Sequence, residues 1–153
     1  MTNAFGRTLR PEWIAFGEAL EKFRHTPAEE QDPRELVKAA GLVARTGLQL
    51  PEVGPVFGAL SACMEEFEYN WCLRLLIRLT IWTMRQTSFR NRPLWNDFEM
   101  TRWLVTKDPR YVKRIAQQMR SKNPMVQATC EWMVASMCQQ EPEFKAQWEQ
   151  VTA

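Results

Sequence analysis

The chain has 153 residues, 45% of them hydrophobic, with 20 lysines and arginines against 18 aspartates and glutamates. This length and apolar content predict one compact domain over residues 1–153, with residues 1–10 as a flexible N-terminal segment. No stretch free of charged side chains approaches the ~20 residues of a membrane span, and no secretory signal is visible, so we expect a cytoplasmic protein.

Prolines divide the sequence into a series of predicted helices. Four of them follow a residue that can cap a helix start: Asp32, Asp108, Asn123 and Glu141, the last a poorer cap. No glycine follows Gly58, which argues against β-hairpins. The predicted helices cover residues 11–25, 33–46, 55–88 with a break near 68–70, 93–106, 109–122, 124–139 and a short stretch from 142. The sequence therefore predicts an all-α fold of about seven or eight helices.

Residues 108–139 predict two helices joined by a tight Ser-Lys-Asn-Pro turn. The second helix opens with Pro124, followed by Val126 and the small Ala128. This pattern resembles the helical hairpin of HEAT-type repeat proteins. The resemblance implies stacked helix pairs that are used for binding, a scaffold without chemistry of its own. A short HEAT-like stack and an irregular helical bundle both remain open as architectures.

Positive charge is concentrated in the middle of the chain. Residues 71–125 hold twelve lysines and arginines against three acidic residues, a net charge of +9. Residues 1–70 carry a net charge of −4 and residues 126–153 a net charge of −3. This asymmetry is the most informative functional feature of the sequence.

The predicted helix at 70–88 carries a narrow charged stripe. Three arginines share this stripe and two tryptophans lie beside it: Arg74, Arg78, Arg85, Trp71 and Trp82. Large apolar side chains fill the rest of its circumference, among them Leu75 and Leu79. We expect this helix to be buried on nearly all sides except the charged stripe.

A basic, tryptophan-containing surface is predicted from this helix and from the two segments that follow it. Its residues are Arg74, Arg78, Arg85, Arg90, Arg92, Arg110, Lys113, Arg114, Arg120, Trp71, Trp82 and Trp95. Cations with interleaved aromatic side chains are typical of nucleic-acid binding, and they also suit an acidic protein partner. Alternatively, the acidic ends of the chain neutralise this charge within the fold.

Catalytic and metal-binding patterns are missing from the sequence. His25 is the sole histidine, and it lies at a predicted helix end, where it would interact favourably with the helix dipole. The sequence contains no GxSxG, GxxxxGK or GxGxxG pattern. Cys63, Cys72, Cys130 and Cys138 show no CxxC pair, so we expect reduced and mostly buried thiols. The sequence thus predicts no catalytic residue, no metal and no cofactor.

We make separate predictions for five further residues. At least one of Trp95 and Trp103 is expected near a surface, because the chain has more tryptophans than a core of this size hides. Glu99 is expected as a solvated partner of nearby arginines. Gly58 ends a GxxxG pattern that predicts close helix contact or a turn. Met125 is expected either in the core or in an adaptable contact surface.

These patterns predict a non-enzymatic α-helical binding module whose basic surface takes an acidic protein partner. The alternative is a nucleic-acid-binding accessory protein that uses the same surface. A small helical enzyme with an unrecognised site is the third hypothesis. No membrane interaction is expected, and self-association to a homo-oligomer stays open.

Overall fold

Helices account for all the regular secondary structure within the residues that the structure describes. The computed structural model describes residues 10–66, 75, 78, 79, 82 and 94–153. The predicted N-terminal segment, except Arg10, and the predicted helix break near 68–70 lie outside them. Seven α-helices and a short 3₁₀ turn, Ala28–Glu30, pack together in the described part, which confirms the all-α prediction. The helices are α1 Pro11–His25, α2 Arg34–Arg45, α3 Leu50–Glu66, α4 Leu94–Thr106, α5 Pro109–Gln118, α6 Pro124–Gln140 and α7 Pro142–Thr152.

Proline begins four of these helices, as predicted. They are α1, α5, α6 and α7. Proline costs little at a first helical position, because a backbone N–H there has no hydrogen-bond partner within the helix. The Asp108 carboxylate accepts a hydrogen bond from the backbone N–H of Arg110 at 2.9 Å. The Asn123 side-chain oxygen likewise accepts from the N–H of Met125 at 3.0 Å. Glu141 makes no such capping bond before α7, as expected of a poorer cap.

The start of α3 differs from the prediction. α3 begins at Leu50, so Pro55 lies inside the helix rather than at its start. The Glu52 carboxylate accepts a hydrogen bond from the backbone N–H of Gln49 at 2.9 Å, one half of a capping box, and so fixes the earlier start. Pro55 lies beyond the first turn, so the N–H that it lacks removes one helical hydrogen bond, the one to the carbonyl of Pro51.

The end of α5 also comes earlier than predicted. The helix ends at Gln118 rather than at residue 122. The N–H groups of Arg120 and Ser121 each bond a carbonyl three residues back, at 3.1 Å, which tightens the chain into a turn. This turn leads directly into the capped start of α6, which folds back against α5.

The buried apolar side chains form two main cores. The first core lies between α1, α2 and α3 and includes Val105 from α4, and the second lies between α4, α5, α6 and α7. α3 packs along α4 and so joins the two. The first core contains Phe16, Ala19, Phe23, Leu36, Ala40, Val43, Val56, Ala59, Leu60, Ala62, Cys63, Met64 and Val105. The second contains Met100, Trp103, Tyr111, Val112, Ile115, Cys130, Met133, Val134, Met137 and Phe144.

A glycine allows α3 and α4 to approach closely. A Cβ atom placed on Gly58 would lie 2.7 Å from the backbone oxygen of Phe98 and 3.0 Å from Cβ of Thr101. Real Cβ atoms do not approach a backbone oxygen so closely, so only glycine fits without a shift of one helix. Of the two readings of the GxxxG pattern, the structure confirms close helix contact.

The tryptophans of α4 are both buried, so the expectation that one lies near a surface is wrong. Trp103 is fully buried, where its indole N–H donates to the Gln147 side-chain oxygen at 2.8 Å. Trp95 stacks on Phe98 with ring centroids 4.5 Å apart. Each large ring therefore finds a partner within the fold, which the residue count alone did not reveal.

Candidate functional site

The predicted basic surface lies partly outside the described residues. Five of its residues fall there, so their place in the surface stays a prediction: Trp71, Arg74, Arg85, Arg90 and Arg92. The other seven residues are described. They fall on an exposed helical face, on the exposed side of α5 and around a cleft between α4 and α5.

The exposed helical face consists of Leu75, Arg78, Leu79 and Trp82, and we call it the Leu75–Trp82 face. All four residues have helical backbone, and their spacing of i, i+3, i+4 and i+7 puts them on one side. Leu75 is 49% exposed, Leu79 55% and Trp82 61%, and Arg78 is exposed as well.

This exposure corrects the prediction that the helix is buried everywhere but at its arginines. On a helix wheel the two leucines fall within about 100° of Arg78. A helix orientation that exposes Arg78 to solvent therefore exposes both leucines as well. A segment that is apolar nearly all round has no pattern that tells which arc faces the core. The sequence therefore predicted the charged stripe, and it missed the apolar residues that are exposed beside it.

The exposed side of α5 and the turn after it carry three of the predicted cations. Lys113 and Arg120 are exposed. The Arg110 Nε atom lies 2.9 Å from a carboxylate oxygen of Asp108, and its guanidinium lies over the Tyr111 ring, 5.3 Å from the centroid. The charge of Arg110 is therefore partly neutralised within the fold, while Lys113 and Arg120 contribute to the surface potential.

A polar cleft opens between α4 and α5, with a volume of about 360 Å³. It is lined by Trp95 and Glu99 from α4, by Arg114, Gln117, Gln118 and Ser121 from α5 and the turn after it, and by Val126 from α6. The α5 side chains Arg114, Gln117 and Gln118 follow the spacing i, i+3 and i+4, so one face of that helix supplies most of the polar wall. The structure thus brings together two predicted site residues, Trp95 and Arg114.

A buried charge cluster forms the base of this polar cleft. Glu99 is 1% exposed, which corrects the expectation of a solvated carboxylate. One carboxylate oxygen lies 3.7 Å from Nη1 of Arg102 and the other lies 3.9 Å from Nη1 of Arg114. Arg102 is itself buried, with its guanidinium 4.4 Å from the Tyr111 ring centroid and a hydrogen bond of 3.1 Å to the Tyr111 hydroxyl. Glu99 is buried because its counter-ions are buried or half-buried with it.

Two buried polar atoms of the cleft have no hydrogen-bond partner among the described residues. They are the side-chain oxygen of Gln118 and the Nη1 atom of Arg114. Gln118 is only 9% exposed, and its amide nitrogen makes one long bond, 3.5 Å, to the backbone oxygen of Trp95. Buried donors and acceptors are usually satisfied, so these two mark a place where a ligand group would gain hydrogen bonds.

Sequence reasoning missed most of the cleft. The basic and aromatic pattern of the sequence predicted Arg114, whereas Glu99, Gln118 and Ser121 belong to no motif. The polar spacing along α5 was the one signal available, and it is equally typical of a solvated helix face. α6 holds another exposed tryptophan, Trp132, 74% exposed, with the exposed Met125 two turns before it.

No family model, no curated protein and no solved structure matches the chain. The resemblance of residues 108–139 to a HEAT-type hairpin therefore stays a prediction, although α5 and α6 do form a helical hairpin. Among the described residues no helix is long and apolar enough to cross a membrane. Within the same residues, no three His, Cys, Asp or Glu side chains are grouped so as to hold a metal ion.

Proposed function

We propose that this chain is a non-enzymatic helical binding module that docks an acidic, amphipathic helix of a partner protein on the Leu75–Trp82 face. The observation that carries the proposal is the exposure of two leucines and a tryptophan around an exposed arginine on one helix face. Single exposed apolar residues are ordinary, but a continuous stripe of them is typical of a protein interface.

The composition of the face suits a protein rather than another ligand. Tryptophan and arginine are the residues that most often dominate binding energy at protein interfaces, and here Arg78 and Trp82 are one helical turn apart. The leucines offer apolar contacts at the i and i+4 positions, which match the repeat of an amphipathic helix. The partner is acidic because Arg78 lies in the segment of net charge +9.

A nucleic acid is the alternative occupant. Arg78 would contact a phosphate and Trp82 would stack on a base, as in single-strand binding. Leu75 and Leu79 favour the protein partner, because aliphatic side chains on that face would remain unused or lie against charged phosphates.

Fluorescence anisotropy with two synthetic helical peptides of about 20 residues tests this proposal. Both peptides carry leucines at i, i+3, i+4 and i+7, and one has glutamates where the other has lysines. We expect the acidic peptide to bind at least about tenfold more tightly than the basic one. Trp82→Ala and Arg78→Glu should each weaken that binding by a similar factor. Trp132→Ala, at a tryptophan of α6 that is more exposed than Trp82, should leave it unchanged.

Equal binding of the two peptides, or no effect of the Trp82 substitution, would overturn the acidic-partner proposal. A labelled single-stranded oligonucleotide in the same assay identifies the alternative. Its binding would fall steeply and log-linearly with salt from about 50 mM upward. In contrast, salt does not screen the apolar contacts of a helix interface, so binding of the acidic peptide would lose only its electrostatic part and would persist at high salt.

A further inference from the structure

None of the four residues of the Leu75–Trp82 face lines the polar cleft, and the cleft carries its own inference. We propose that it binds a small zwitterion, a free α-amino acid, with the ligand carboxylate on Arg114 and the ligand ammonium on Gln118 and Glu99. The site is built from the polar face of α5 and from α4, and Val126 closes one end.

The unpartnered atoms define which groups a ligand must offer. The side-chain oxygen of Gln118 accepts hydrogen bonds and needs a donor, whereas Nη1 of Arg114 donates and needs an acceptor. The two residues are four apart on α5, so their Cβ atoms lie about 5–6 Å from each other. A ligand that satisfies both must carry a donor and an acceptor within a few ångströms, as the ammonium and carboxylate of an α-amino acid do.

The charges of the cleft favour a zwitterion over a simple ion. Glu99 and Arg114 face each other with a separation of 3.9 Å, beyond hydrogen-bonding distance. A lone anion would gain from Arg114 and lose against Glu99, and a lone cation would do the reverse. An α-amino acid aligned antiparallel to this pair places each of its charges beside the opposite one.

The size and the apolar part of the cleft suit the same ligand. A volume of about 360 Å³ is near the lower end of the ~300–1,000 Å³ typical of ligand pockets, which favours a small molecule. Trp95 and Val126 supply apolar surface beside the polar wall, where an aliphatic side chain would pack. Leucine is therefore the first ligand to test.

Calorimetry and ligand-observed NMR with the wild-type chain test the ligand class directly. The probes are leucine, leucinamide, which lacks the carboxylate, and 4-methylpentanoate, which lacks the ammonium. We expect leucine to bind at least about tenfold more tightly than either analogue, because leucinamide loses the negative charge that pairs with Arg114 and 4-methylpentanoate leaves the Gln118 oxygen without a donor. An analogue that binds as tightly as leucine, or no binding of leucine at about 10 mM, would overturn the proposal.

Glucose serves as a further probe in the same measurement, because hydroxyl groups also combine a donor with an acceptor. Binding of glucose without binding of leucine would identify a polyol site and refute the amino-acid proposal. All of these measurements use the wild-type chain.

Matched variants locate the site. Arg114→Met should weaken leucine binding at least about tenfold, whereas Arg110→Met should leave it unchanged. The pair is matched because both guanidiniums lie over the Tyr111 ring, at 5.4 Å and 5.3 Å, and only Arg114 lines the cleft. Gln118→Leu should also abolish the preference for leucine over 4-methylpentanoate. Equal effects of the two arginine substitutions would place binding elsewhere.

The acidic-partner proposal and the amino-acid proposal can be tested independently of each other. Trp82→Ala should leave leucine binding unchanged, and Arg114→Met should leave the binding of the acidic peptide nearly unchanged. Loss of both activities in one variant that keeps its circular dichroism spectrum would show that the cleft and the Leu75–Trp82 face form a single site, which contradicts the separation inferred here.

Discussion

The two cores of the molecule are built from different chemistry. The first core is entirely apolar and is filled by side chains such as Phe16, Leu36 and Val56. The second core borders on buried polar and charged groups, because Arg102 lies over the ring of Tyr111, one of its members. Both cores belong to one domain and share the α3–α4 contact.

This difference predicts that the two cores contribute differently to stability and to binding. An apolar core stabilises in proportion to the area that it buries and tolerates changes of shape within limits. A buried charge cluster carries a desolvation cost and is often no more stabilising than apolar residues of the same volume. We therefore expect the first core to supply stability, and the polar groups beside the second core to be retained for binding.

Removal of the buried carboxylate should give the largest loss of stability. Glu99→Leu leaves the guanidinium of Arg102 buried without this counter-ion, so we expect the free energy of unfolding to fall by about 3–5 kcal/mol. Urea denaturation followed by circular dichroism measures the change.

The double variant Glu99→Leu, Arg102→Met is the control. It replaces the pair by apolar side chains, so most of the lost stability should return. If the double variant is less stable than the single one, the buried pair itself stabilises the fold, and the contrast between the two cores disappears.

The first core should respond to volume alone. Leu36 is 1% exposed, and Leu36→Ala should lower the free energy of unfolding by about 3 kcal/mol through lost burial and a residual cavity. Leu42→Ala on the same helix, α2, removes a side chain that is 39% exposed and should cost well under about 1 kcal/mol. Similar losses for the two leucines would mean that α2 does not face the first core as described.

Helix starts were the best predicted part of this molecule, because a capping residue followed by proline is a local signal that tertiary contacts did not override. The start of α3 escaped prediction because its capping residue is Gln49 and its signal lies in the Glu52 carboxylate. The cleft was not predicted from the sequence for a different reason. Glu99 reads as an ordinary surface residue, and its burial depends on Arg102 and Arg114, which only the packing of α4 on α5 brings to it.

The junction between the cores should be sensitive to a single methyl group. At Gly58→Ala the new Cβ meets the backbone of α4, and over-packing of this kind costs about 1–3 kcal/mol, partly offset by better helix propensity. Gly17→Ala in α1 is the matched control, since nothing lies within 4 Å of its Cβ position. This variant should be more stable by about 0.5–1 kcal/mol. Stabilisation at both positions would show that α3 and α4 have room to separate.

The cysteines allow the two cores to be compared without any substitution, because each core contains one buried thiol. Burial raises the pKa of Cys63 in the first core and of Cys130 in the second to about 12, so near pH 8 about one thiol in 10⁴ is the reactive thiolate. Among the described cysteines, iodoacetamide should then label the half-buried Cys138 first, and the two buried thiols only when the protein unfolds.

Mass spectrometry of the labelled peptides gives the rate at each buried cysteine. If α3 and α4 make the cores one cooperative unit, Cys63 and Cys130 should be labelled at the same slow rate, and the raised pKa gives the pH dependence. The unfolded thiol has a pKa of 9.0, below the folded value, so ionisation favours the unfolded state as pH rises from 9.0 toward 12. Both rates should therefore increase together across that range. Faster labelling of Cys130 alone would mean that the core beside the charge cluster opens independently, and that its polar groups cost stability locally.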